Sequence, residues 1–165
     1  MPASATASIP VWVPAVFIGL VLLGYRQSVP RTIKPAMLAA VALAMFGFSL
    51  YGIVSAFGAQ PLALLLWATG YAAVMVLCAR HLAPRGLARV GTLVHIPGSW
   101  VPLMLLLAIF AAKFLLGFAA GAGLPLLHEN AFIAAISGVL GALSGGFGVR
   151  AVAVHRYAAA AGAAA

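Results

Sequence analysis

Only one carboxylate side chain, Glu129, occurs in the whole chain. Acid–base chemistry by a pair of carboxylates is therefore excluded. There is one cysteine, Cys78, so no disulfide can form within the chain. It reads as a small buried apolar group near the end of a span. Charged residues make up 6% of the sequence, against about 25% in soluble domains. No polar stretch is long enough to fold outside a membrane, and residues 1–165 read as a single transmembrane domain. Met1 to Ser8 contains no Lys or Arg, so the basic region of a secretory signal peptide is missing. The motifs G-x-S-x-G, H-E-x-x-H and G-x-x-x-x-G-K-[ST] are missing too, and His128-Glu129-Asn130 lacks the second histidine. These absences predict a protein that is not an enzyme and carries no cofactor.

What is present is apolar. Hydrophobic residues make up 65% of the 165 residues, and the mean hydropathy is +1.19. A soluble fold of this length cannot hide so much apolar surface, so the expected solvent is lipid. The fold class expected is all-α: an integral membrane bundle of five transmembrane helices. The spans run at about Ile9–Tyr25, Pro35–Phe57, Pro61–Ala79, Trp100–Ala122 and Ala131–Val149. Pro10 and Pro14 bend the outer half of the first. Pro35 and Pro61 open their helices where a missing N–H costs least. Ser99 and Asn130 are candidate caps, and Gly58 and Gly123 are natural stops. Trp12, Trp100, Tyr25 and Tyr157 sit near span ends, as interfacial anchors do.

The net charge is +8, carried by nine basic residues. Eight of them form three clusters: Arg26, Arg31 and Lys34; Arg80, Arg85 and Arg89; Arg150 and Arg156. Every cluster follows an odd-numbered span, so alternating spans gather all three on one side, which the positive-inside rule assigns to the cytoplasm. The expected topology is N-out/C-in. Glu129 falls in an opposite loop. The basic residues flank apolar spans without interleaved aromatics, which argues against nucleic acid and for contact with the head groups of anionic lipids.

Two segments read less simply. Val90–Ser99 is apolar yet holds His95, Pro97 and two glycines, and reads as interfacial or, if protein covers its backbone, re-entrant. The alanine tail from Ala158 frays or extends the last helix past the membrane. Five spans do not divide into two inverted halves, which removes one pointer to a secondary transporter.

Lys113 is the one ionisable residue deep in a span. A lysine there costs about 2.5–3.5 kcal/mol on insertion scales. No acid lies in any span, and Lys113 is about 13–15 Å below the surface that carries Glu129, at 1.5 Å per residue. Three readings stay open. Lys113 can be satisfied internally by Tyr51, Tyr71, Ser55 or Ser137; it can bind an anionic solute or lipid phosphate; or it can pair with an acid of a membrane-protein partner. Small residues recur at Gly117 and Gly121, and again at Ser137, Gly141 and Gly145 and at Gly138, Ala142 and Gly146. They predict close packing of the fourth span on the fifth, or else a homodimer interface or a glycine-lined path. A metal- or haem-linked redox reading would use His81, His95 and His155, but their spacing does not converge.

Gly24-Tyr25-Arg26-Gln27 with Pro30-Arg31-Thr32, Gly98-Ser99-Trp100-Val101-Pro102-Leu103 running into Lys113-Phe114, and Ser144-Gly145-Gly146-Phe147 before Arg150 resemble a family of small bacterial inner-membrane proteins with an uncharacterised membrane domain. The resemblance covers nearly the whole chain. It implies five helices in the bacterial inner membrane, no assigned activity and no catalytic residues. From residues and resemblance together, the leading expectation is a protein that binds or moves a small anionic solute at Lys113. The alternative is a structural or assembly partner of another membrane protein.

Overall fold

The computed structural model describes residues 12–163. The expected first-span start at Ile9, with Pro10, and the end of the tail at Ala164 and Ala165 lie outside the described residues, as does the side chain of Trp12. Of the described residues 79% are helical, and they form six α-helices. These are α1 (Trp12–Ser28), α2 (Pro35–Phe57), α3 (Pro61–Leu77), the one-turn α4 (Ala79–Leu82), α5 (Val101–Gly121) and α6 (Asn130–Ala163). A 3-10 turn, Pro125–His128, joins α5 to α6.

Among the described residues, three helices are long and apolar enough to cross a membrane: α2, α5 and α6. The other two expected spans are shorter, because α3 stops at Leu77 and the described part of α1 begins at Trp12. Each is an apolar helix of 17 residues. That is about 26 Å of helix, at the lower limit for a bilayer core of about 30 Å.

The punctuation follows the sequence. Pro35 and Pro61 each occupy the first helical position, and Ser99 Oγ accepts from the Val101 N–H at 3.3 Å. Gly58 and Gly123 sit at positive φ just beyond α2 and α5.

The expectation of a purely α-helical fold needs correcting. The linker after α1 and the segment before α5 form a three-stranded antiparallel sheet of β1 (Arg31–Ile33), β2 (Ala88–Val90) and β3 (Leu93–Ile96), in the order β1-β3-β2. Arg31 pairs with Ile96, Ile33 with Val94, and Val90 with Leu93. Gly91 and Thr92 make a two-residue hairpin loop, in which Gly91 takes a φ of 62° at the first central position that such turns reserve for glycine. Residues 90–96 are therefore paired strand and turn, and strand pairing rather than a re-entrant cover satisfies much of their backbone. Val94 and Ile96 point to one face and pack on Val154 and Tyr157 of α6.

That contact supports an extended last helix, one of the two outcomes expected for the alanine tail. α6 continues past Val149 and runs 34 residues, to Ala163. At 1.5 Å per residue it is about 51 Å long, well beyond a bilayer core. Its surplus turns have the buried face of the sheet to pack against.

α6 is also the axis of the bundle: 56% of its apolar stretch is buried, against 33% for α5 and 11% for α2. α2, α3 and α5 pack around it, and α1 packs on α5. The core joins Ile53, Trp67, Leu106, Ile109, Ile133, Leu140 and Phe147. Helices in lipid gain little from hydrophobicity, since the tails are as apolar as leucine. Close packing and interhelical hydrogen bonds hold them instead. Both occur here. Trp67 Nε1 donates to Ser49 Oγ at 3.0 Å, and Ser49 Oγ donates to the Leu140 carbonyl at 3.2 Å. This buried chain links α3, α2 and α6.

The small-residue ladder has a different partner from the one expected. It was predicted to join the fourth and fifth spans, α5 and α6. Gly141 and Gly145 instead face α3, where a Cβ on Gly141 would meet the Trp67 carbonyl and one on Gly145 would lie 2.8 Å from the Tyr71 carbonyl. Gly70 of α3 answers from the other side, against the backbone of Gly138. α5 meets α6 through the Leu105 side chain at Gly146. Gly117 and Gly121 have nothing within 4 Å of an added Cβ among the described residues, so neither is a site of close approach between the described helices.

Candidate functional site

Lys113 is half-buried on α5 and reaches across to α2. Its Nζ donates to the Phe48 carbonyl at 3.2 Å and lies 4.1 Å from the centroid of the Phe48 ring. Gly52 makes room for it, since a Cβ there would run into Nζ. Position 52 looked uninformative in the sequence, because its partner lies on a helix 61 positions away.

The other residues proposed for this site are not gathered around the ammonium. Tyr51 is 70% exposed. Tyr71 belongs to an aromatic cluster, with its ring centroid 5.3 Å from that of Phe46 and 6.0 Å from that of Trp67. Ser55 donates to the Gly52 carbonyl at 3.2 Å. Ser137 is fully buried on α6, and its hydroxyl has no hydrogen-bond partner among the described residues. Lys113 thus ties α5 to α2.

The tie contributes little net stability. A cation–π contact is worth about 0.5–2 kcal/mol, and the charge costs about 2.5–3.5 kcal/mol in the membrane interior. Lys113→Met is expected to unfold within about 1 kcal/mol of wild type in the same detergent, or to be more stable. A loss above about 2 kcal/mol would show that the tie holds the bundle together.

The second candidate lies at the end of the bundle formed by the last turns of α1 and α3, the first turns of α2 and α5, and the sheet. The eight clustered basic residues all belong to this end, whereas Glu129 is at the other, just before α6. Arg26, Lys34, Arg80, Arg85, Arg89 and Arg156 are exposed, so solvent satisfies them. Arg89 also donates from Nε to the Gly91 carbonyl at 2.8 Å, bracing the hairpin turn. Arg31 is half-buried, and Nη2 donates to Gln27 Oε1 at 3.5 Å. Burial lowers the Arg31 pKa by disfavouring the charged form, although a guanidinium keeps its proton even so.

Arg150 is different. It is 6% exposed, and among the described residues its one hydrogen bond is from Nη1 to the Leu82 carbonyl at 3.4 Å. Two clefts meet at its side chain. The narrow one, about 10 Å³, lies between Arg150 and Arg31, with Gln27 and Phe147 in its wall. That volume holds about one water molecule. The wider one, about 250 Å³, is lined by Arg150, Arg85, His81, Ser99 and Val101. In the sequence, Arg150 reads as one of the head-group cations. Nothing local distinguishes it from Arg156, because its burial comes from α4 and the sheet folding over it.

Three of the four histidines, His81, His95 and His155, belong to this end, whereas His128 lies in the turn before α6 at the other. His81 lines the wider cleft, and His95 Nδ1 lies 3.4 Å from Thr32 Oγ1 across the sheet. Among the described residues, no three of His, Cys, Asp and Glu are close enough to hold a metal ion. Cys78 is half-buried at the junction of α3 and α4.

No family model, curated protein or solved structure matches the chain.

Proposed function

We propose that this chain is a five-span protein of the bacterial inner membrane, N-terminus out and C-terminus in. In this reading it has no catalytic role and binds a small anionic group from the cytoplasmic side. The observation that carries the reading is the partition of charge. Eight cations occupy one end and the single carboxylate the other, which no soluble surface requires and the positive-inside rule explains. The two short helices support five spans by what they leave uncovered. α1 exposes Ile18, Leu22 and Leu23, and α3 exposes Leu65, Val76 and Leu77. Apolar surface on that scale needs lipid against it. The bacterial inner membrane enters through the resemblance noted above.

The anionic ligand now fits the basic end better than Lys113, whose ammonium is already engaged with Phe48. Topology is tested with single cysteines in a Cys78→Ser background. A cysteine at Gln60 is expected to react with an impermeant thiol reagent in intact cells, and one at Arg85 only after permeabilisation. The reverse pattern would invert the protein. Ligand class is tested by melting the purified protein in neutral detergent with chloride, sulfate, phosphate and small carboxylates at one ionic strength. At least one anion is expected to raise the melting point in a saturable way, and no response to any of them would remove the anion-binding reading.

A further inference from the structure

Arg150 carries a buried charge with no counter-charge among the described residues. Its one hydrogen-bond partner among the described residues is a neutral carbonyl at 3.4 Å. The only carboxylate side chain, Glu129, precedes the start of α6 and is about 30 Å away along the helix, at 1.5 Å per residue. Buried charges in proteins are paired or hydrogen-bonded. Here a second cation, Arg31, lines the same narrow cleft. An anion would resolve both the burial and the repulsion.

The wider cleft offers the space for one. Besides Arg150 it has Arg85 at its rim, the Ser99 hydroxyl, and the first turn of α5 at Val101. α5 is 21 residues long, and its N-terminus carries the partial positive charge that favours anions. The wall is fixed by close packing: Gly98 lies so tightly on the Ser28 backbone that a Cβ would overlap it. At about 250 Å³ the cleft is below the range of about 300–1,000 Å³ typical of drug-sized ligands. It suits a small multi-oxygen anion.

We propose that this cleft binds a phosphate group, with Arg150 as its buried donor and Arg85 and the start of α5 completing the site. A guanidinium fork matches phosphate oxygens two at a time, and several cations with a helix N-terminus suit a group that presents several acceptors. The phosphate belongs either to a free phosphorylated solute or to the head group of an anionic lipid in the adjoining leaflet. The proposal rests on the anion-binding reading above and names the ligand class and the residues.

The test compares wild type, Arg150→Gln, Arg85→Gln and Arg156→Gln as purified full-length proteins. Arg85 is exposed, so its loss leaves the fold intact if Arg150→Gln does not fold. Arg156 is exposed, outside the cleft, and controls for net charge. In one arm, inorganic phosphate is titrated in neutral detergent at constant ionic strength and melting is followed. In the other, melting is followed in bilayers of phosphatidylglycerol and of phosphatidylcholine, in buffer without inorganic phosphate. Saturable stabilisation of wild type, weakened about tenfold or more in Arg85→Gln and in any folded Arg150→Gln but kept in Arg156→Gln, is the expected result. If it appears with inorganic phosphate, the source is a free solute. If it appears only with phosphatidylglycerol, the source is a head group. Anion stabilisation that survives loss of Arg85 and Arg150, or that Arg156→Gln reduces equally, overturns this site and leaves the broader reading standing. No stabilisation by any anion overturns both.

Discussion

A Gly141→Val protein is expected to lose about 3 kcal/mol of unfolding free energy, at the upper end of the usual cost of overpacking. An added Cβ at this position falls on the carbonyl oxygen of Trp67. Backbone oxygen cannot swing aside as a side-chain terminus can, so α3 must move off α6. The displacement spreads. Gly70 against Gly138 and Gly145 against Tyr71 belong to the same contact. In lipid this contact is the main source of cohesion between helices. The matched substitution Gly117→Val faces open space within the chain and is expected to stay within about 0.5 kcal/mol of wild type, as surface changes do. Unfolding of the two variants by sodium dodecyl sulfate titration in mixed micelles reads the difference. Equal losses would mean that Gly117 is also a packing residue, and the homodimer reading of that face would return.

Trp67→Ala is expected to cost about 3–5 kcal/mol, the range for removing a large buried aromatic. The indole is 6% exposed and sits 4.9 Å from the Phe46 ring, centroid to centroid. Its N–H also supplies the first link of the chain through Ser49 to Leu140. Trp67→Phe separates the two contributions. It keeps most of the ring volume and removes the donor, for an expected loss of about 1 kcal/mol. Ser49→Ala removes the acceptor and is expected to cost about 1–3 kcal/mol, because it leaves the indole N–H unsatisfied. The double variant Trp67→Phe with Ser49→Ala should lose less than the sum of the singles. Additive losses would show that the two groups do not act as a pair.

Residues whose meaning is local were legible in the sequence. Pro35 and Pro61 begin helices because their rings forbid an earlier turn, and Gly58 and Gly123 end helices; Ser99 was placed one residue out, since the N-cap of α5 is Trp100 and the Ser99 hydroxyl accepts only from the Val101 amide. Residues whose meaning depends on a distant partner were not. The ladder at Gly141 and Gly145 announced close approach but not the helix approached. The complementary signal was Gly70, a single glycine that stands out only beside Gly138. The sheet was invisible for a similar reason. Strands of three or four residues are too short to show a period, and β1 finds its partner more than 60 positions away. Val94 and Ile96 did alternate, and Gly91 did mark a turn, but both sat in a segment whose apolarity matched a membrane interface. Of the candidate site residues, Lys113 stood out by its charge alone. Arg150 did not, since its isolation arises from the fold.

The sheet also orders events during synthesis. β1 leaves the ribosome directly after α1, and its partner β3 follows only after α2, α3 and α4 have been made. Until then Arg31–Ile33 is an open strand edge, the kind of backbone that recruits other chains. A charged residue at the strand's first position and its three-residue length limit that hazard. α6 comes last of all and brings the face on which Val94 and Ile96 settle. The bundle therefore closes from its C-terminal end, and a nascent chain halted before residue 93 lacks both the sheet and the helix around which the others pack.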